Sequence, residues 1–145
     1  MKIAQYEIQL QTEKEFDIVD LTNEIQQKVG EACVKNGFVT VASMHTTTAM
    51  IINEAENGFF QDLRIALKRL APKSIAYKHN NFTHRIVPRD EPKNGHSHIL
   101  ASLIGPSQSI PISRARLKLG KWQRVFFLEL DSARERRISI TVIGE

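Results

Sequence analysis

The sequence has a single cysteine, Cys33, among 145 residues. That excludes an intrachain disulfide and a zinc site built from several cysteines. Its longest unbroken apolar runs are only four residues, 49–52 and 125–128. Both fall far short of the roughly 20 apolar residues of a membrane-spanning helix and of the core of a secretory signal. Aromatics are 7% of the chain. No RNP, KH or zinc-finger spacing accompanies them, which speaks against a nucleic-acid-binding module. No Gly-Lys-Ser/Thr loop is present, so a Walker-type phosphate site is excluded. Linkers, repeats and low-complexity tracts are also missing. These absences predict one cytoplasmic domain spanning residues 1–145, with no membrane partner.

Hydrophobic residues at 41% and charged residues at 25% fit a globular chain. A chain of this length can bury about 68–70% of its unfolded surface without covalent staples. The net charge of +4 hides an asymmetry. Residues 1–62 hold 4 Lys/Arg against 10 Asp/Glu, and residues 63–145 hold 16 against 6, balances of −6 and +10. The basic half predicts a local positive field that suits a phosphorylated ligand or an acidic neighbour, or else a solvated basic surface.

Period-two alternation of Ala4, Tyr6, Ile8 and Leu10 predicts a first strand with one buried face. A short paired segment over 16–20 follows. Leu21, Ile25, Val29 and Ala32/Cys33 form one stripe of a helix over 22–36, with Gly37 as its left-handed stop and Cys33 as a buried thiol. Strands are predicted over 38–45 and 49–53. A second helix covers 58–71, with Phe59/Phe60, Leu63, Leu67 and Leu70 as its buried face and Pro72 as its end. Residues 73–95 read as a long loop of the kind that carries function. The last third reads as strands over 97–104, 108–112, 116–119, 122–131 and 136–143, with a tight hairpin at Leu119 to Trp122. The order is an α+β pattern: a two-layer antiparallel β-sandwich with two helices packed on one side.

Of the five histidines, His45 ends a strand, His79 and His84 lie in the loop, and His96 and His98 form a His-Ser-His pair. On a strand, positions i and i+2 share a face, so His96 and His98 are expected side by side with His45 as a third ligand. The alternative is a hydrogen-bonded polar cluster. Thr46, Thr47 and Thr48 offer hydroxyl donors to an anion, or serve as strand formers at a sheet edge. Glu54 is a candidate general base, metal ligand or helix-entry charge. Gly105 to Ser109 is a small-residue turn whose Ser107 could bind phosphate. Val125, Phe127, Glu129 and Asp131 share one face. Carboxylates there require partners. Arg134, Arg136 and Arg137 are the nearby candidates, for an ion-pair network or for a phosphate clamp.

Seven motifs occur in order: His45 to Ala49, Asn53-Glu54, Tyr77 to Asn80, Asn94 to His98, Gly105 to Pro111, Leu117 to Gln123, and Glu129 to Asp131. Together they resemble the YjbQ-like family, also described as secondary thiamine-phosphate synthases. Ala115, Lys121 and the Ser132-Ala133-Arg134 turn depart from the family's usual residues at turn positions. The resemblance implies a two-sheet α+β sandwich and a homotrimer. It also implies a transferase that joins hydroxymethylpyrimidine diphosphate to thiazole phosphate and releases pyrophosphate. A divalent metal, zinc or magnesium, is expected with the diphosphate.

The expected site gathers His45, Glu54, His79, His96 and His98 as catalytic residues. His45, His96 and His98 double as metal ligands. Thr47, Thr48, Ser107, Gln123, Arg134 and Arg136 are expected to bind the anionic substrate. The alternative is a non-catalytic binding or sensing protein for a phosphorylated metabolite.

Overall fold

The computed structural model describes residues 1–145 apart from the side chain of His84. The alternating first strand, β1 (Lys2–Gln11), pairs along its whole length with the last, β8 (Glu135–Gly144). Ile8 faces Ile138 and Tyr6 faces Ile140, so one apolar face of the ladder points inward. β3 (Gly37–Ser43), β5 (Ser107–Ser113) and the two-residue β6 (Arg116–Leu117) extend this sheet in the order β1-β8-β3-β5-β6. A second sheet runs β2 (Ile18–Asp20), β7 (Gln123–Glu129), β4 (Thr48–Glu54), in the order β2-β7-β4. Every pairing is antiparallel.

Period two along the smaller sheet sorts its side chains into two cores. Val125, Phe127 and Met50 join Val39, Val41, Ile110, Ile138, Ile140 and Val142 between the sheets. Leu128 and Ala49 point the other way, toward α2 (Asn57–Leu70) and α3 (Gly95–Ile104). Leu67, Leu100 and Ala101 fill that outer layer. α1 (Thr22–Glu31) drives Ile25 and Val29 into the inter-sheet core, each fully buried. Its first turn is tied by Asp20, whose Oδ1 accepts from Thr22 N and Thr22 Oγ1. The result is the expected α+β two-sheet sandwich, with a third helix in addition.

Three local expectations are corrected. Residues 97–104 are not a strand: Ser97, Leu100, Ala101 and Ile104 recur at i, i+3, i+4 and i+7, and that helical face packs against β4 and β7. α1 ends at Glu31, and Cys33 (φ 51), not Gly37, takes the left-handed turn. Val34 fills the core in its place, and the Cys33 thiol is exposed. The tight hairpin joins β5 to β6 through Arg114 (φ 52) and Ala115 (φ 61). Leu119 to Trp122 instead carries the chain from one sheet to the other. Among the described residues, no helix is long and apolar enough to cross a membrane.

Candidate functional site

Two chain crossings between the sheets meet at one end of the sandwich. Residues 44–47 lead from β3 to β4, and residues 130–134 lead from β7 to β8. Leu130 N donates to Thr47 O at 3.1 Å, and Thr12 N donates to Arg134 O at 3.0 Å, which locks the crossings to each other and to the end of β1. Residues 79–94 and the start of α3 stand over them. The open cavity between them measures about 500 Å³. Its polar lining includes His45, Thr47, His79, Asn94, His98 and the guanidinium groups of Arg85, Arg134 and Arg136. An adjoining hollow of about 340 Å³ shares His45, Thr46 and His98, and reaches Thr48 and Pro106.

The floor is a buried ion pair. Arg136, 4% exposed, donates through Nε and Nη2 to the two oxygens of Glu129, each at 2.7 Å. Glu129 is wholly buried and accepts further bonds from Thr12 Oγ1 (2.9 Å) and Asp131 N (3.0 Å). Four donors therefore offset the cost of burying that carboxylate. Arg136 Nη2 also donates to Thr47 Oγ1 at 3.2 Å, which leaves the Thr47 hydroxyl proton for a ligand. Beside this pair, Asp131 Oδ2 accepts from Arg134 Nη2 and from Asn94 Nδ2, each at 2.7 Å.

The imidazoles are placed unequally. His45 Nε2 accepts the backbone N–H of Arg137 at 2.8 Å. Its proton therefore sits on Nδ1 when the ring is neutral. Burial holds the His45 ring below the ordinary histidine value; Arg136, Arg137 and Arg134 push the same way, with Glu129 opposing. His98 and His79 pack with ring centroids 4.3 Å apart, inclined at 51°. Burial also lowers His98, with the neighbouring His79 and Arg85 adding to the shift against Asp131 and Glu91. Arg85 spans the mouth, donating to His79 O at 3.0 Å and pairing with Glu91 at 3.3 Å.

Residues 6–145 match the family model described as UPF0047 protein YjbQ-like. The chain belongs to the YjbQ-like UPF0047 family. It is 32% identical over 145 residues to a UPF0047 protein of Methanothermobacter thermautotrophicus, covering 100% of this chain and 95% of that one. It is 34% identical over 137 residues to one from Archaeoglobus fulgidus, covering 94% and 99%. In structure it is similar to a YbjQ-like protein of unknown function from Sulfolobus solfataricus, with TM-score 0.90, 31% identity and 99% of each chain covered.

In this YjbQ-like chain, His45, Thr47, His79, His98, Arg134 and Arg136 converge on the cavity, with Thr48 in the adjoining hollow. Four expected site residues lie elsewhere. His96 leaves the cavity because residues 95–104 are helical: i and i+2 differ by about 200° around a helix, not zero as on a strand face. Its Nε2 bonds Glu15 Oε1 at 3.0 Å and lines a separate hollow with Lys68 and Lys73. Glu54 and Gln123 pair with each other at the far end of β4 and β7, six residues from Thr48 and Glu129. That is about 20 Å along the strands. Ser107 is exposed at the start of β5. Arg85, Glu91 and Asn94 are lining residues that sequence reasoning missed. Asn94 had a signal, since it opens the Asn94 to His98 motif.

The proposed metal trio does not fit. His96 is on the opposite side of α3, and His45 Nε2 is already occupied by a backbone donor. Among the described residues, no three His, Cys, Asp or Glu side chains group as metal ligands.

Proposed function

We propose that the cavity binds a phosphorylated small molecule, and that the protein acts on it as a transferase of the secondary thiamine-phosphate synthase kind. The observation that carries this reading is the convergence of hydrogen-bond donors on the lining. Three guanidinium groups, Arg85, Arg134 and Arg136, meet the hydroxyl of Thr47 and the Nδ1–H of His45 around one space. Glu91 is the only carboxylate lining it among the described residues. Each guanidinium is paired with a carboxylate, Arg85 with Glu91, Arg134 with Asp131 and Arg136 with Glu129, so it is the fixed donors rather than net charge that suit negatively charged oxygen and a leaving diphosphate.

In the reaction, the thiazole nitrogen attacks the methylene carbon of hydroxymethylpyrimidine diphosphate. A C–N bond forms, the C–O bond to the diphosphate breaks, and pyrophosphate leaves with the electron pair. The nitrogen becomes a thiazolium cation and no proton is lost, so the step needs no general base. The distance of Glu54 from the cavity is therefore no obstacle. A divalent ion, in this reading, enters bound to the diphosphate, as magnesium commonly does. The resemblance adds a homotrimer and the composition a cytoplasmic location, which sedimentation of the full chain and cell fractionation test.

The deciding experiment incubates the purified protein with both substrates and magnesium, and follows thiamine phosphate and pyrophosphate together. Equal release of the two products is expected, with a loss of at least tenfold in Arg134→Gln. Binding of the diphosphate without product supports the second reading, a sensing or carrier protein for a phosphorylated metabolite. That reading is favoured by the Arg136–Glu129 and Arg134–Asp131 pairs, which hold two of the three guanidinium groups in place. Absence of binding as well as of product removes both.

A further inference from the structure

The three guanidinium groups of the cavity are held in unequal ways. Arg136 and Arg134 are tied to carboxylates fixed beneath the cavity. Glu129 is wholly buried and accepts four hydrogen bonds, from Arg136 Nε and Nη2, Thr12 Oγ1 and Asp131 N. Asp131, 8% exposed, accepts from Asn94 Nδ2 as well as from Arg134. Arg85 and Glu91 instead stand at the mouth, with side chains 38% and 26% exposed, and both line the open cavity. Their single contact, from Arg85 Nη2 to Glu91 Oε1, is 3.3 Å, against 2.7 Å in the other two pairs. Arg85 has anchors besides Glu91. Its Nη2 also donates to His79 O at 3.0 Å, and its guanidinium carbon lies 5.3 Å from the centre of the Phe82 ring. The arginine therefore keeps its place if the carboxylate swings away.

We propose that Glu91 is a removable occupant of a second anion position at Arg85, and that it sets the specificity of the cavity between one phosphate group and two. This rests on the anion-binding reading of the cavity and narrows it. A single phosphate seats on the floor, against Arg134, Thr47 and the Nδ1–H of His45, and leaves the Arg85–Glu91 pair closed. A diphosphate reaches the mouth as well. Its second phosphate takes the Arg85 guanidinium, and the Glu91 carboxylate turns out to solvent. A half-exposed pair with one long contact contributes little, whereas a phosphate offers the same guanidinium fork more charge and more acceptor oxygens. The displaced carboxylate regains water, so no buried charge is left unpaired. Until then Glu91 penalises any ligand that must displace it from Arg85.

The test titrates the full chain calorimetrically with inorganic phosphate and with pyrophosphate, without magnesium and at constant ionic strength. Glu91→Gln is expected to bind pyrophosphate about two- to fivefold more tightly than wild type, the weight of one half-exposed ion pair, and to bind phosphate as wild type does. Arg85→Gln is expected to weaken pyrophosphate binding, and adding Glu91→Gln to it is expected to bring no gain. A gain that persists without Arg85 is general repulsion of anions by Glu91, and overturns the inference. Pyrophosphate binding that is unchanged or weaker in Glu91→Gln also overturns it, as does an equal gain for phosphate. A second readout needs no variant. In nitrogen-15 spectra of the wild-type arginine side chains, pyrophosphate is expected to move one Nε signal that phosphate leaves still, and identical shifts with the two ligands overturn the inference while leaving the anion site intact. Failure of both ligands to bind either wild type or Glu91→Gln removes the anion site itself, and the inference with it.

Discussion

The backbone N–H of Arg137 donates to His45 Nε2 at 2.8 Å. A lone pair on Nε2 is therefore required, and the neutral ring carries its proton on Nδ1. The same contact makes the ring a poor metal ligand, since Nε2 is taken and Nδ1 is protonated. Nitrogen-15 NMR of the imidazole is expected to show the Nδ1–H tautomer at neutral pH. Zinc at stoichiometric concentration is expected to leave the His45 Nε2 resonance unmoved. A zinc-induced shift there would overturn the assignment.

Two of the cavity histidines, His45 and His98, titrate below the ordinary histidine value, 6.5, for reasons of burial and neighbouring positive charge. A bound anion reverses the second cause and raises both. Phosphate binding is therefore expected to take up protons and to tighten as pH falls below about 7. The opposite slope, beyond what phosphate's own titration explains, would contradict a ligand seated against these rings.

The sign for stability is the reverse. An unfolded histidine, near 6.5, binds more protons than the folded one just below that pH. The stability linked to His45 and His98 is present in full above the unfolded value and is lost as pH falls through the folded one. Denaturant unfolding between pH 7 and pH 5 is expected to show a shallower loss in His98→Gln than in wild type. An unchanged slope would argue that His98 is not desolvated.

Arg136 and Glu129 satisfy one another in a buried floor. Arg136→Met leaves a buried carboxylate with no counter-charge, and is expected to cost about 3–5 kcal/mol. The double variant Glu129→Leu/Arg136→Met removes both charges and is expected to regain part of that loss. It does not regain all, because Thr12 Oγ1 and Asp131 N lose their acceptor. Chemical denaturation of the three proteins checks the order. A single variant within about 1 kcal/mol of wild type would show that water reaches the floor.

Much of this arrangement was legible beforehand. The alternation in β1 named its inward face, and Phe59 to Leu70 marked α2. The demand of Glu129 and Asp131 for cationic partners pointed to Arg134 and Arg136, and the structure supplies both pairs. The failure over residues 96–104 has one cause, which is the choice of period for a short apolar segment. Residues 96–104 satisfy period two through His96, His98 and Leu100, and period 3.6 through Ser97, Leu100, Ala101 and Ile104. The second pattern wins because its face meets Ala49, Leu128 and Leu130, a surface no local window reveals. Carboxylate chemistry close to the Thr triplet in sequence suggests Glu54 for the site, and the family motif suggests Gln123. Strand rise separates them from it, since a seven-residue strand carries its two ends about 20 Å apart.

His96 and His98 accordingly predict opposite phenotypes. His98→Ala is expected to weaken phosphate-ester binding while melting close to wild type, since the ring is half-exposed in the cavity. His96→Ala removes a ring 4% exposed, bonded to Glu15 and packed by Tyr77. It is expected to lower stability by about 1–3 kcal/mol with little change in binding by the folded fraction. Equal losses of binding in both variants would restore the shared site that a strand would have given them.

Gly95 offers a test in which two rules give opposite signs. By helix propensity, Gly95→Ala in the first turn of α3 should stabilise the protein by up to about 1 kcal/mol. A Cβ at this position, however, would stand 2.6 Å from Tyr77 Cβ and 3.0 Å from the ring Cγ. Tyr77 cannot easily withdraw, because its hydroxyl donates to Pro72 O at 2.8 Å and Gly95 N is itself bonded to Asn80 Oδ1 at 2.9 Å. The clash therefore pushes the start of α3 away from residues 77–80, at an expected cost of about 1–3 kcal/mol. The same displacement moves Asn94 and His79 relative to each other across the cavity, so ligand binding is expected to fall along with the melting temperature. A Gly95→Ala protein that melts higher than wild type would mean that Tyr77 is not packed against this helix, and that the cavity wall formed by Asn94 and His79 is not rigid.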